Sequence, residues 1–154
     1  MSTLRSPAVT GATGFIGQRL ISRLCEGGLR PRALVRPTTP VPKSWAGSVD
    51  VCLGDVTDRD SVRSFMDGAS ELFHLAARVG DWGREEDFQS VTVGGSRNVL
   101  EEAAVRGTRT ILVSSIVVYG TALGHSSCSE DQTWGTPSGM YSRAKQAQER
   151  LAWD

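Results

Sequence analysis

The chain has 154 residues, and seventeen Lys plus Arg balance seventeen Asp plus Glu, which leaves neither a basic footprint for nucleic acid nor an acidic tail. That length allows about 70% of the unfolded surface to be buried, enough for one core and hardly two, so residues 1–154 are expected to form one domain. No apolar signal follows Met1, no apolar stretch reaches a membrane span, and Cys25, Cys52 and Cys128 form no CxxC pair; the expectation is a cytoplasmic protein with no membrane, nucleic-acid or metal partner and no disulfide framework.

Short apolar runs alternate with segments of helical period, the pattern of successive βαβ units and hence of a parallel sheet. Ala8 to Thr10 ends the first strand. Phe15, Ile16, Leu20, Ile21 and Leu24 then form a helical stripe that Gly27-Gly28 closes. Arg32 to Val35 reads as the second strand, and Pro37, Pro40 and Pro42 keep the chain irregular to about Trp45. Val49 to Leu53 is a third strand, followed by a helix with Val62, Phe65 and Met66 on one face. Glu71 to Leu75 is a fourth strand, Phe88 to Arg106 a long helix, and Thr110 to Ser115 a fifth strand rich in β-branched residues. Gly120 to Pro137 is polar and turn-forming, and Met140 to Trp153 is a final helix rich in helix formers.

The run Thr10-Gly11-Ala12-Thr13-Gly14-Phe15-Ile16-Gly17 stands between the first strand and the first helix. Three glycines at spacing three let a backbone turn sharply, let a pyrophosphate approach, and let the helix pack closely on its sheet. The helix N-terminus then offers free N–H groups and its positive dipole end. An ordinary turn is the bland reading of such a triplet, and four further segments weigh against it. Arg36 sits just past the second strand, where an Arg accommodates a 2′-phosphate, so NADP(H) is expected over NAD(H). Asp55-Val56 offers a carboxylate and an N–H for the amino edge of adenine, although Asp55 or Asp58 is also placed to cap the next helix. His74-Leu75-Ala76-Ala77 ends the fourth strand with small residues that admit a cofactor; His74 itself reads as a satisfied core histidine. Tyr141 and Lys145, at i and i+4 on the last helix, lie on one face roughly 6 Å apart at Cβ. A phenol with a pKa of about 10 needs a neighbouring ammonium to work as a base at neutral pH, and the Ser115 hydroxyl is placed to hold a substrate oxygen against it.

In these motifs the chain resembles the N-terminal half of an extended short-chain dehydrogenase/reductase, of the NAD(P)-dependent epimerase/dehydratase superfamily. The glycine run, Asp55-Val56-Thr57-Asp58, His74-Leu75-Ala76-Ala77, Ser114-Ser115-Ile116-Val117-Val118-Tyr119-Gly120 and Tyr141-Ser142-Arg143-Ala144-Lys145 occur in that family's order. The stretch after Arg78 looks most like the 3β-hydroxysteroid dehydrogenase-like and dihydroflavonol reductase-like branch. The resemblance implies a Rossmann-type α/β fold, a doubly wound parallel sheet, truncated after the catalytic helix. It implies Ser115, Tyr141 and Lys145 as catalytic residues, with Tyr141 the acid/base and Lys145 also on the nicotinamide ribose. It implies a dinucleotide contacted by Gly11, Thr13, Gly14, Phe15, Ile16, Gly17, Arg36, Asp55, Val56, Leu75, Ala76, Ala77, Thr92, Ser114, Tyr141 and Lys145.

Three departures qualify the match. Thr92 stands where the family usually has Asn, Pro7 is read inside the first strand, where it would cost a ladder bond, and family members are about twice as long. The expected function is hydride transfer between nicotinamide and a secondary alcohol or carbonyl. Its alternatives are nucleotide-sugar epimerisation or dehydration, and a truncated dinucleotide-binding module without activity of its own. Without a strand beyond the fifth, the open edge is expected to favour a homo-oligomer or a complementing C-terminal half.

Overall fold

The computed structural model describes residues 6–80, 82–123 and 128–154; Asp81 and residues 124–127 of the turn-forming stretch lie outside the described residues. Strands β1 (Ala8–Thr10), β2 (Arg32–Val35), β3 (Asp50–Leu53), β4 (Glu71–His74) and β5 (Arg109–Leu112) are all parallel and lie in the order β3-β2-β1-β4-β5. The order reverses at β1, and in such sheets the crevice outside the strands' C-terminal ends at that reversal is where ligands sit.

Alternating side chains of the strands feed two separate cores. On one face Ala8, Leu34 and Leu72 pack with Val62, Phe65 and Met66 of α2 (Arg59–Met66) and with Val99 and Ala103 of α4 (Gly95–Arg106). On the other, Val9, Ala33 and Val35 pack with Ile21 of α1 (Phe15–Glu26), Trp45 and Val49. The last helix, α5 (Met140–Trp153), lies against α4 and the segment before it. The sheet is therefore covered on both faces, the doubly wound α/β arrangement.

Local chemistry sets the helix ends. Asp58 caps α2, accepting from the Asp60 N–H at 3.1 Å and the Ser61 hydroxyl at 2.6 Å; these donors, the Ser61 hydroxyl first, hold its carboxyl below the usual range. The α4 helix stops where Gly107 turns left-handed, with Thr108 N–H bonded to Ala103 O and Gly107 N–H to Ala104 O.

Several boundaries differ from the sequence reading. The third and fourth strands are each one residue shorter; β5 starts one residue earlier, at Arg109, and ends at Leu112, with the Val113 N–H still bonding His74 O at 3.1 Å before the chain enters a 3₁₀ turn over Ile116–Ala122. The expected long helix begins earlier, as a short α3 (Glu85–Asp87), and widens into a π-helical stretch over Phe88–Gly94 before α4. Pro7 lies just before β1 rather than inside it, and its carbonyl accepts from Arg32 N–H at 2.8 Å. Phe15 and Ile16 do not join the core: they are 85% and 54% exposed at the head of α1.

The close approach of α1 to the turn after β1 requires glycine. A Cβ at Gly17 would lie 2.7 Å from the Ala12 carbonyl carbon, and one at Gly11, whose φ is +65°, would lie 2.8 Å from Ala76 N. Because the obstacles are backbone atoms, Gly17→Ala is expected to cost roughly 1–3 kcal/mol. Urea denaturation measures it, and an unchanged midpoint would show that the turn can move aside.

Candidate functional site

The N-terminus of α1 is left open by its own sequence. Gly14 occupies the N-cap position with no side chain to bond the first-turn N–H groups, and no acidic residue stands in that turn. These orphan donors, backed by the helix dipole, face the C-terminal ends of the strands, where an anion is favoured. A cleft of about 500 Å³ opens there, between the glycine turn, the ends of β2 and β4 and the segment after β3.

Twelve of the sequence-predicted residues line this cleft: Gly11, Thr13, Gly14, Phe15, Ile16, Gly17, Arg36, Asp55, Val56, Leu75, Ala76 and Ala77. The exposure of Phe15 and Ile16 is explained by it, since both form a wall. Arg36 is exposed and makes no side-chain ion pair or hydrogen bond among the described residues. Asp55 uses one carboxylate oxygen on the Thr57 N–H at 2.9 Å and hydroxyl at 2.8 Å. Val56 is fixed from behind: Asn98 Nδ2 donates to its carbonyl at 3.0 Å, and a Cβ at Gly95 would lie 2.6 Å from its Cγ2. The lining also includes Leu34, Gly54, Arg78, Val79, Val91 and Val113, which the motifs do not mark.

Five predicted residues lie off the cleft lining. Thr92 is fully buried and its hydroxyl accepts from Arg78 N–H at 2.9 Å, so it braces the chain leaving β4. The Ser114 hydroxyl donates to Glu149 of α5. Ser115 caps the 3₁₀ turn, accepting from Val117 N–H at 3.4 Å. Tyr141 begins α5 and is half-buried. Lys145 is 2% exposed, and its ammonium donates to the Val113 carbonyl at 2.7 Å and to Gln148 Oε1. No hydrogen bond joins Ser115, Tyr141 and Lys145 to one another among the described residues. Burial pushes the Lys145 ammonium down to about 8, against the opposing pull of Glu149.

Behind the cleft runs a buried polar chain in which His74 is the satisfied core histidine expected from sequence, while Ser96 and Gln148 belong to no motif. The Thr10 hydroxyl accepts from the Leu75 and Ala76 N–H groups, each at 3.2 Å, and lies 2.6 Å from His74 Nδ1. With both its lone pairs taken, that hydroxyl donates its proton to Nδ1, which assigns His74 as the neutral tautomer carrying hydrogen on Nε2. Nε2–H then donates to Ser96 Oγ at 2.8 Å, and Gln148 Nε2 donates to the same oxygen at 2.7 Å. His74 is fully buried, and burial first, then the Lys145 charge, lowers it to about 3.

A glycine turn at the head of a doubly wound parallel sheet, opening on a cleft at the strand-order reversal, defines a Rossmann-type α/β protein. The chain belongs to the NAD dependent epimerase/dehydratase family, whose sequence pattern it matches over residues 8–154. It is 36% identical over 124 residues to a ceramide reductase of Caulobacter vibrioides, covering 80% of this chain and 38% of that protein. It is 37% identical over 109 residues to sterol demethylase protein B of Methylococcus capsulatus, covering 70% of this chain and 33% of that one. Among solved structures, MoeE5 in complex with UDP-glucuronic acid and NAD superimposes with a TM-score of 0.82 at 29% identity, over 96% of this chain and 48% of that one. The chain thus spans about a third of the length of these curated relatives and about half of that structural neighbour.

The histidine has a measurable consequence. An unfolded chain takes up a proton on this imidazole near 6.5 and the folded one only near 3, so the unfolded state binds more protons between those values and stability falls as pH falls through that window. From pH 7 to pH 5 the contribution lost is about 2 kcal/mol. Urea midpoints of the wild type and His74→Asn at both pH values check this: the wild type is expected to lose more than the variant, and equal losses would place His74 outside the account.

Proposed function

We propose that the chain forms the dinucleotide-binding part of an oxidoreductase that transfers hydride between nicotinamide and a secondary alcohol or carbonyl, with NADP(H) preferred over NAD(H). The observation that carries this reading is the cleft, where backbone stands in place of any Cβ at Gly11 and Gly17 and the uncapped N-terminus of α1 faces the opening. The residues present fit a dinucleotide. The first-turn N–H groups and Gly11, Thr13 and Gly14 would hold the pyrophosphate, and Arg36 a 2′-phosphate by a bidentate contact. The free carboxylate oxygen of Asp55 and the backbone of Val56 would take the adenine amino edge. Leu75, Ala76 and Ala77 admit the chain of phosphates and ribose because their side chains are small or turned aside.

NADP(H), when bound, supplies or accepts the hydride. Tyr141 gives a proton to the substrate oxygen in reduction and takes it back in oxidation, Ser115 orients that oxygen, and the Lys145 ammonium stabilises the phenolate that forms. Support for reduction comes from the named activity of the Caulobacter relative. A nucleotide-sugar epimerase or dehydratase is the second reading, supported by the UDP-sugar and NAD seen with the MoeE5 neighbour. Net NADP(H) turnover separates the first reading from a redox-neutral sugar conversion. Cytoplasmic placement belongs to the same proposal; among the described residues no helix is long and apolar enough to cross a membrane.

Calorimetric titration with both cofactors tests the preference. NADPH is expected to bind at least about tenfold more tightly than NADH, and Arg36→Asp to invert that order; tighter NADH binding by the unmutated chain would remove the argument. Where turnover is seen, Tyr141→Phe is expected to lower it by roughly a hundredfold or more while cofactor affinity holds. Full activity in the Phe variant would make Tyr141 an ordinary helix residue.

A further inference from the structure

Lys145 sits at one end of the buried polar chain and the cleft floor at the other. Reading from the floor, the Leu75 and Ala76 N–H groups bind Thr10, Thr10 binds His74, His74 binds Ser96, Ser96 receives the Gln148 amide N–H, and the Gln148 oxygen receives the Lys145 ammonium. Thr10, His74 and Ser96 are 0% exposed, Gln148 1% and Lys145 2%. A buried polar chain of this kind is stable only when its members are satisfied, and when satisfied it fixes each of them in place. Gln148 donates its amide N–H to Ser96 and accepts from the Lys145 ammonium at its oxygen, so it joins the hydroxyl and imidazole side to the ammonium side. The second Lys145 contact, the Val113 carbonyl, belongs to a residue that lines the cleft. The ammonium is thus set just behind the cleft wall, between Gln148 and Val113.

We propose that Gln148 is a positioning residue for Lys145, fixing the depth of the ammonium behind the cleft wall and tying it through Ser96, His74 and Thr10 to the floor on which the dinucleotide rests. The inference rests on the role given above to Lys145. Its physical content is nonetheless separate from dinucleotide binding, because the hold exists in the protein alone. The charged and titratable groups around the ammonium are Glu149 on its own helix, which raises its affinity for the proton, and neutral His74 across the chain. Replacing the Gln148 amide with a near-isosteric thioether removes one acceptor from a buried cation; replacing it with a carboxylate adds an opposite charge while Ser96 can turn its own proton toward the new oxygen. The two substitutions therefore push Lys145 in opposite directions.

The chain has two lysines, Lys43 and Lys145, so selective ¹³C,¹⁵N-lysine labelling gives two resolvable side-chain signals, with exposed Lys43 as the internal reference. The wild-type Lys145 signal is expected to titrate near 8 and to show ammonium protons protected from exchange. Gln148→Met is expected to lower its midpoint by about one pH unit and Gln148→Glu to raise it by at least as much, while Lys43 stays put in both. An unmoved Lys145 midpoint in the two variants overturns the proposal, as do rapidly exchanging ammonium protons in the wild type. Should the Met variant fail to fold, the Glu variant and the exchange measurement decide. Failure of the unmutated chain to bind NADPH or NADH overturns the proposed function instead, and the lysine signals still judge the Gln148 contact.

Discussion

The backbone at Gly17 passes so close to the turn at Gly11 and Ala12 that no Cβ fits between them. That contact sets how near α1 stands to β1, and so where its unbonded N–H groups point. From it follow the open mouth at the reversal of strand order, the exposure of Phe15 and Ile16, and the line from the glycine turn to the end of β4, where Gly11 meets the backbone of Leu75 and Ala76. A methyl group at either glycine would push the helix off the sheet or the turn off β4, and the cleft would be lost by displacement of its walls even with every lining side chain intact.

Most of the architecture is legible in sequence because it rests on short-range periodicity. Alternation within Arg32–Val35, the spacing of Val62, Phe65 and Met66, and the glycine run each express a local geometric requirement, and the sheet order follows from connecting them right-handedly. What the sequence misleads about is instructive. Phe15 and Ile16 fit a helical stripe, yet a stripe does not say which of its ends reaches past the core. The π-helical stretch over Phe88–Gly94 has no periodic signature. The lining contributed by Leu34, Gly54, Arg78, Val79, Val91 and Val113 comes from loops, strand ends and the π-helical stretch, brought together only by folding. That His74 is a satisfied core histidine is legible in sequence; its partners are not, since it finds Thr10 at a separation of 64 residues and Ser96 at 22.

The two parts of the site differ in how they are built. The cleft draws on residues between Gly11 and Val113, carried by the strand ends and the turns after them, by the first turn of α1 and by Val91 of the π-helical stretch. Ser115, Tyr141 and Lys145 come from the 3₁₀ turn and α5, and their hydroxyls and ammonium are engaged in other contacts or have none among the described residues. The cleft thus stands open in the structure, whereas no hydrogen bond among the described residues joins the groups proposed for proton transfer. Ser115 follows β5 and Lys145 bonds the Val113 carbonyl just past its end, and among the described residues β5 pairs only with β4.

Burying the Lys145 ammonium is unfavourable, and the structure offsets that cost with neutral acceptors rather than with a contacting carboxylate. The Val113 carbonyl and the Gln148 oxygen supply two directed contacts, while Glu149 acts on the charge without bonding to it and is itself bonded by Ser114. An ion pair in the same place would hold the charge more firmly and would also neutralise it. Neutral acceptors fix the position of the cation without cancelling its charge, on which the Glu149 carboxylate acts without a bond. His74 serves the same end by staying neutral: a protonated imidazole in the chain would repel the ammonium, and full burial, with Nδ1 committed to accepting from Thr10, keeps the proton off. The polar interior of this fold is thus arranged to keep one positive charge, at a fixed depth, beside the cleft.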